Sequence, residues 1–190
     1  MSKTVMLSVR PKWVEKIANG EKTIEVRKTK PKLETPFKCY IYCTLPKYPH
    51  EDFIATDYPR PQFYGGGKVI GEFTCERIAL IAYDGGELSS TTNAAFSPAT
   101  CLTQSEIIAY IGDKGRCYGW HISNLKIYDA PKKLGEFWRN CLEYSELSTN
   151  CWSCENVCGD GDETDCNTDG RLYLRRPPQS WCYVEAMKDE

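Results

Sequence analysis

The chain has 190 residues, of which 41% are hydrophobic and 26% charged, with a net charge of −2. That balance suits one globular domain with a real core, or one domain plus an insertion, and excludes a disordered chain. No apolar run approaches the ~20 residues of a membrane-spanning helix, and Met1–Arg10 holds too short an apolar stretch for a signal peptide. A cytoplasmic protein with no membrane partner is therefore expected.

The first strand is expected over Thr4–Val9. Pro11 can occupy the first turn of a helix, where its missing N–H costs nothing. Trp13, Val14, Ile17 and Ala18 follow at helical spacing, and Asn19-Gly20 supplies a stop. Thr23, Ile24 and Val26 read as a second strand, with Glu25 and Arg27 between the apolar positions. Phe37–Thr44 is a third strand, rich in aromatic and β-branched residues. Residues 45–65, with four prolines, read as a long irregular surface loop.

Lys68–Ile81 is the strongest strand region, and residues 84–100 are polar and rich in turn formers. Thr103 followed by Glu106 is a capping-box pattern opening a short helix to Ile111. Tyr118–Tyr128 alternates as a strand, Lys132–Trp138 is expected as a short helix, and Ser180–Glu185 as a closing strand. Many short strands with few helices give an α+β class built around a small barrel.

The charge is unevenly distributed. Residues 1–50 carry 11 Lys and Arg against 4 Glu, whereas the remainder carries 13 basic and 22 acidic residues. A basic amino-terminal part can attract phosphate. The plainer alternative is a solvated face whose charges the fold later mixes with acids. With only two histidines, His50 and His121, chemistry built on several histidines is excluded.

The run Gly20-Glu21-Lys22-Thr23-Ile24-Glu25-Val26-Arg27 follows a strand, Arg10-Pro11-Lys12-Trp13 and a helix. It resembles the Gly-x-Lys-x-x-Glu-x-Arg signature of the ASCH domain, a member of the PUA-like group. Lys68–Phe73, Tyr118–Ile122 and Pro178–Val184 echo the same family. The likeness covers roughly residues 3–140 and 171–186. It implies a PUA-like small twisted β-barrel with flanking short helices, spanning 1–142 and 171–190, interrupted by an insertion at 143–170. It also implies that Lys22, Glu25 and Arg27 line a cleft, and that the ligand is RNA or a modified nucleoside or nucleotide.

Some small members hydrolyse N4-acetylcytidine and others have been proposed to cut RNA. A hydrolase reading would make Lys22 the base or nucleophile and Glu25 its charge partner. The amidohydrolase-like members carry threonine where this chain has Glu25, and their glutamate falls near Glu106.

From the residues themselves, Lys22 and Arg27 offer cationic donors and Glu25 an acceptor. Glu25 and Arg27 share a strand face, while Lys22 has the other parity unless the strand opens with a bulge or turn. The trio could hold a ligand. Glu25 and Arg27 could instead form a salt bridge that closes the barrel. As an exposed cleft residue, Lys22 is expected to cost under ~0.5 kcal/mol on replacement by alanine. Trp13, Tyr40, Tyr42, Phe73 and Trp120 are candidate core residues, any of which at the barrel mouth could stack a base. His121 is expected to be packed rather than catalytic.

Eleven cysteines are many for an intracellular chain, and the odd number argues against a fully paired disulfide scaffold. Cys151, Cys154, Cys158 and Cys166 fall in an acidic segment with few apolar side chains. A structural zinc on these four thiolates would supply ordering energy that burial cannot. A disulfide pair, free thiols and an iron–sulfur cluster remain alternatives. The insertion could also be the docking surface of a protein–protein adaptor.

Overall fold

The computed structural model describes residues 3–45, 53–55, 62–92, 98–140 and 171–187. The expected cysteine-rich insertion, with Cys151, Cys154, Cys158 and Cys166, lies outside the described residues. Within them the chain runs through β1 (Lys3–Val9), α1 (Pro11–Ala18), β2 (Ile24–Arg27) and β3 (Phe37–Cys43). A small antiparallel pair follows, β4 (Phe53–Ala55) with β5 (Gln62–Tyr64). Then come β6 (Lys68–Asp84), β7 (Glu87–Ser90), α2 (Gln104–Ile111), β8 (Arg116–Lys133), β9 (Trp138–Asn140), β10 (Arg171–Tyr173) and β11 (Trp181–Glu185).

One mixed sheet carries the fold, in the order β11-β1-β3-β6-β8-β2, with β7 hung on β6. All its pairings are antiparallel except β1 with β3, between which α1 and β2 intervene in sequence. Strand alternation sends β1 and β3 side chains into two separate cores. Val5, Leu7, Val9, Phe37, Cys39, Ile41 and Cys43 meet Val14 and Ile17 of α1 and Trp120. Met6, Tyr40 and Tyr42 face the other way, onto Val69, Phe137 and Val184. Both faces of these strands are covered, so their sequence is almost continuously apolar. A third cluster joins Ile24 and Val26 of β2 to Ile107 and Ile111 of α2. Each such fully buried side chain contributes roughly 1.5–3 kcal/mol.

The α+β class is as expected, but strand pairing does not close the sheet into a barrel: among the described residues β11 and β2 remain its two ends. Side chains cross that seam instead. Trp181 Nε1 donates to Thr29 Oγ1 at 2.9 Å, and the amide of Lys32 donates to the Tyr183 hydroxyl at 2.7 Å. The Trp181 ring also lies 6.2 Å from that of Trp120.

Local expectations differ from the structure at three places. The loop expected at 45–65 contains the β4–β5 pair, and the polar stretch at 84–100 contains β7 and a 3-10 turn at Pro98–Thr100. The helix expected over Lys132–Trp138 is only a 3-10 turn at Leu134–Glu136. It leads into β9, which pairs with β10 from the far side of the cysteine segment. Leu134 and Phe137 both bury into the cluster around Met6 and Tyr40 from this short turn, without a full helical period. The six described cysteines Cys39, Cys43, Cys75, Cys101, Cys117 and Cys182 form no disulfide with one another. No described helix is long and apolar enough to cross a membrane.

Candidate functional site

Glu25 and Arg27 alternate with Ile24 and Val26, so burying the apolar pair under α2 turns the charged pair to the opposite face of β2. Lys22 reaches that same side because it precedes the strand. Gly20, at φ +73, lets the chain leave α1 in a left-handed turn. The Lys22 amide then bonds back to the Lys16 carbonyl at 3.0 Å. Outside the pleat, Lys22 is free of strand parity.

The three charged side chains converge. Glu25 sits in the middle, with Oε1 3.0 Å from Arg27 and Oε2 3.4 Å from Lys22 Nζ. Lys22 Nζ also donates to the carbonyl oxygens of Ile24 at 2.9 Å and Thr100 at 2.6 Å. Its ammonium lies 5.2 Å from the centroid of the Trp13 ring. Lys22 is 2% exposed, Glu25 5% and Arg27 9%. The expectation of an exposed lysine is therefore wrong: Lys22 is buried, beside two main-chain carbonyls and a carboxylate.

Arg27 looks both ways. One guanidinium nitrogen donates to the Ser8 carbonyl at 2.6 Å, and the other lies 3.5 and 3.4 Å from the Ser180 carbonyl and hydroxyl oxygens. It thus ties β2 to β1 and to the approach of β11, across the open seam. The Glu25–Arg27 salt bridge lies within β2, and it is the contacts of Arg27 with Ser8 and Ser180 that span the seam; the same trio also lines a cavity.

That cavity has a volume of about 750 Å³. Lys22, Glu25 and Arg27 line it together with Ser8, Ser180, Gln179, Trp13 and Tyr110. Exposed Arg10, Lys12, Lys28 and Lys114 stand round it. Of the five aromatics considered from sequence, Tyr40, Tyr42, Phe73 and Trp120 are buried, and half-buried Trp13 faces the cavity. His121 is half-buried; burial and the nearby Arg77 charge hold its pKa below the usual 6.5. Tyr110, Thr100 and Ser180 belong to the site but carry no local signal, since each arrives from a distant element.

Glu106 also lines the cavity. Its Oε2 accepts from the Thr103 amide at 2.8 Å while the Glu106 amide donates back to Thr103 Oγ1, which completes the expected capping box. Those bonds from Thr103 lower its pKa and hold it as a carboxylate. Among the described residues no group of three or more His, Cys, Asp or Glu side chains is arranged to hold a metal.

An open-seamed mixed sheet with α1 and a buried Lys–Glu–Arg cluster at a basic cleft defines the class of fold. The fold is similar to solved structures of an ASCH protein from Zymomonas mobilis. The ASCH crystal structure matches with a TM-score of 0.53 at 15% identity, over 96% of this chain and 87% of that one. Two single-substitution mutants of the same protein match with TM-scores of 0.50 and 0.54, at 17% and 14% identity. They cover 70% and 96% of this chain, and 77% and 88% of theirs. This chain has the fold of an ASCH domain. No family model matches the chain, and no curated protein matches it.

Proposed function

We propose that the cleft binds RNA or a modified nucleoside or nucleotide, with Lys22, Glu25 and Arg27 as the ligand-reading floor. The observation that carries this reading is the convergence of three buried charges on a cavity of about 750 Å³, within the ~300–1,000 Å³ range of small-molecule sites. Among the described residues buried Glu25 Oε2 accepts no hydrogen bond, its nearest cation being Lys22 Nζ at 3.4 Å, and Arg27 Nε donates none. A buried carboxylate oxygen with spare capacity suits an exocyclic amine of a base, as Glu suits cytosine N4. Trp13 and Tyr110 offer ring faces on the walls, and the surrounding Arg and Lys favour phosphate.

Binding is favoured over hydrolysis by the contacts of Lys22. Its Nζ donates to two main-chain carbonyls and lies 3.4 Å from the Glu25 carboxylate. Those two bonds tie the side chain to the main chain rather than leaving it poised as a nucleophile. Glu25 stands where a hydroxyl would be needed, and Glu106 is committed to capping α2.

The test is calorimetric titration with a panel of natural and modified nucleosides and short RNAs, followed by mass spectrometry of each ligand. The expected result is saturable binding of at least one member, recovered unchanged, and at least tenfold weaker binding to the Glu25→Gln variant. Recovery of a hydrolysed product would make the protein an enzyme. A wild-type chain that binds none of the panel would leave the adaptor reading.

A further inference from the structure

The two ends of the sheet, β2 and β11, share no strand pairing among the described residues. Residues 28–36, which join β2 to β3, run along that gap. They begin where Lys28 and Thr29 wall the cleft. They end where Leu33, Glu34 and Pro36 line a separate hollow of about 280 Å³, beside Lys3 and Thr4 at the start of β1.

Among the described residues no main-chain hydrogen bond joins this stretch to another main chain. Four aromatic side chains hold it instead. Tyr110 lies beside Lys28, with the ammonium 5.1 Å from its ring centroid and its hydroxyl at the Lys28 main chain. Trp181 Nε1 donates to Thr29 Oγ1, Lys30 Nζ lies 5.8 Å from the Tyr118 centroid, and the Lys32 amide donates to the Tyr183 hydroxyl. Tyr110 and Tyr118 belong to α2 and β8, on the β2 side of the gap, whereas Trp181 and Tyr183 belong to β11. The stretch is thus stitched to both ends of the sheet in turn. Pro31 is buried and Leu33 half-buried, while the other seven residues are exposed.

Opening the sheet itself means breaking a ladder of main-chain bonds. Lifting residues 28–36 breaks only a few side-chain hydrogen bonds and the contacts of exposed lysines with rings, and uncovers Pro31 and Leu33. It also returns backbone freedom to the whole stretch, which offsets part of that loss. We propose that residues 28–36 are a strap that opens and closes as one unit over the seam while the sheet stays intact. Its movement carries off Lys28 and Thr29, a wall of the cleft, whereas Lys22, Glu25 and Arg27 stay in place before and on β2. The same movement alters the hollow at Leu33, so the two cavities change together. Trp181 and Tyr183 are the clasp: their ring centroids are 5.4 Å apart, so the Thr29 and Lys32 bonds rest on one packed pair. The device is defined by the strap's own contacts and does not depend on what the cleft binds.

Hydrogen exchange followed by NMR on the isotope-labelled full chain tests it. The Lys32 amide reports the strap, the Trp181 indole N–H reports the clasp, and the amides of Val5, Met6 and Leu7, in a strand paired on both sides, report the sheet. In the wild type the Lys32 amide should be protected by a factor on the order of 10–1,000, yet exchange at least about 100-fold faster than the β1 amides. Thr29→Val removes the acceptor of Trp181 but leaves that of the Lys32 amide. It should nevertheless speed Lys32 exchange roughly 3–10-fold, the net worth of one hydrogen bond, with the β1 amides unchanged. Tyr183→Phe keeps the ring and should speed exchange of the Trp181 indole N–H by a similar factor. Thr29 is exposed and Tyr183 half-buried, and a thermal melt checks that both variants fold. Lys32 exchange as slow as that of β1 overturns the strap, because the stretch then opens only on unfolding. Exchange at the unprotected rate also overturns it, because the stretch then does not close. Variants that speed only the proton whose own acceptor was removed overturn it too, since the two bonds then open independently.

Discussion

Replacing Lys22 by methionine is the most informative single change. Methionine keeps most of the stem and its packing beside Trp13 but removes the ammonium. The Ile24 and Thr100 carbonyls then lose their charged donor, and Glu25 is left with Arg27 as its sole cationic neighbour. A hydrogen bond to a charged group contributes about 1.5–3 kcal/mol, and removing one partner of a buried ion pair costs about 3–5 kcal/mol. The desolvation cost of the ammonium is recovered, and Arg27 still compensates part of the Glu25 charge. The net expectation is about 3 kcal/mol of lost stability. In a domain of this size each kcal/mol moves the melting temperature by about 2–4 °C, so the drop should be roughly 6–12 °C. Calorimetric melts and urea titrations at pH 7 read it, with the urea midpoint falling at constant slope. In the Glu25→Gln background no buried carboxylate is left short of a partner, so the same change should cost about 1–2 kcal/mol less. A melting temperature within about 2 °C of wild type, or an identical cost in both backgrounds, would refute the buried network.

Three further outcomes are expected. Gly71→Ala should lower the urea midpoint by the equivalent of about 1–3 kcal/mol, because its Cβ would collide with the Lys126 carbonyl oxygen and press on Ile127 in the central β6–β8 pair; a neutral result would mean that the two strands pair differently. His121 is held below its usual pKa by burial and by Arg77, so the folded chain binds fewer protons than the unfolded one. Its contribution is present above pH 6.5 and lost as the pH falls below it, and the His121→Gln variant should show a weaker fall in melting temperature over that acid range. Finally, the zinc proposed for Cys151, Cys154, Cys158 and Cys166 should appear as one metal per chain in elemental analysis, with zinc–sulfur distances near ~2.3 Å by X-ray absorption; a metal-free chain would return these cysteines to thiols or disulfides.

Local order was legible before any coordinates. The helical spacing of Trp13, Val14, Ile17 and Ala18, the alternation through β2, the aromatic and β-branched run of β3, and the Thr103–Glu106 capping box all appear where the sequence places them. These features depend on residues within one turn or one pleat, and a hydrophobic period records them directly. The signature from Gly20 to Arg27 likewise marked a charged trio whose side chains converge, because its members lie within a single chain segment.

Only the tertiary structure decided how that trio is used. Parity left Lys22 on the wrong side of β2, whereas the turn after α1 frees it from the pleat and brings it to a carbonyl 78 residues away, at Thr100. Arg27 reaches Ser180, 153 residues on, and thereby spans a seam that the expected barrel would have closed with strand hydrogen bonds. Lys28 and Lys30 likewise come beside Lys114 and Arg116 round one hollow because β2 pairs with β8. A period in the sequence states which face a side chain takes. Which distant residues share that face depends on strand order and register, set by the packing of the whole chain.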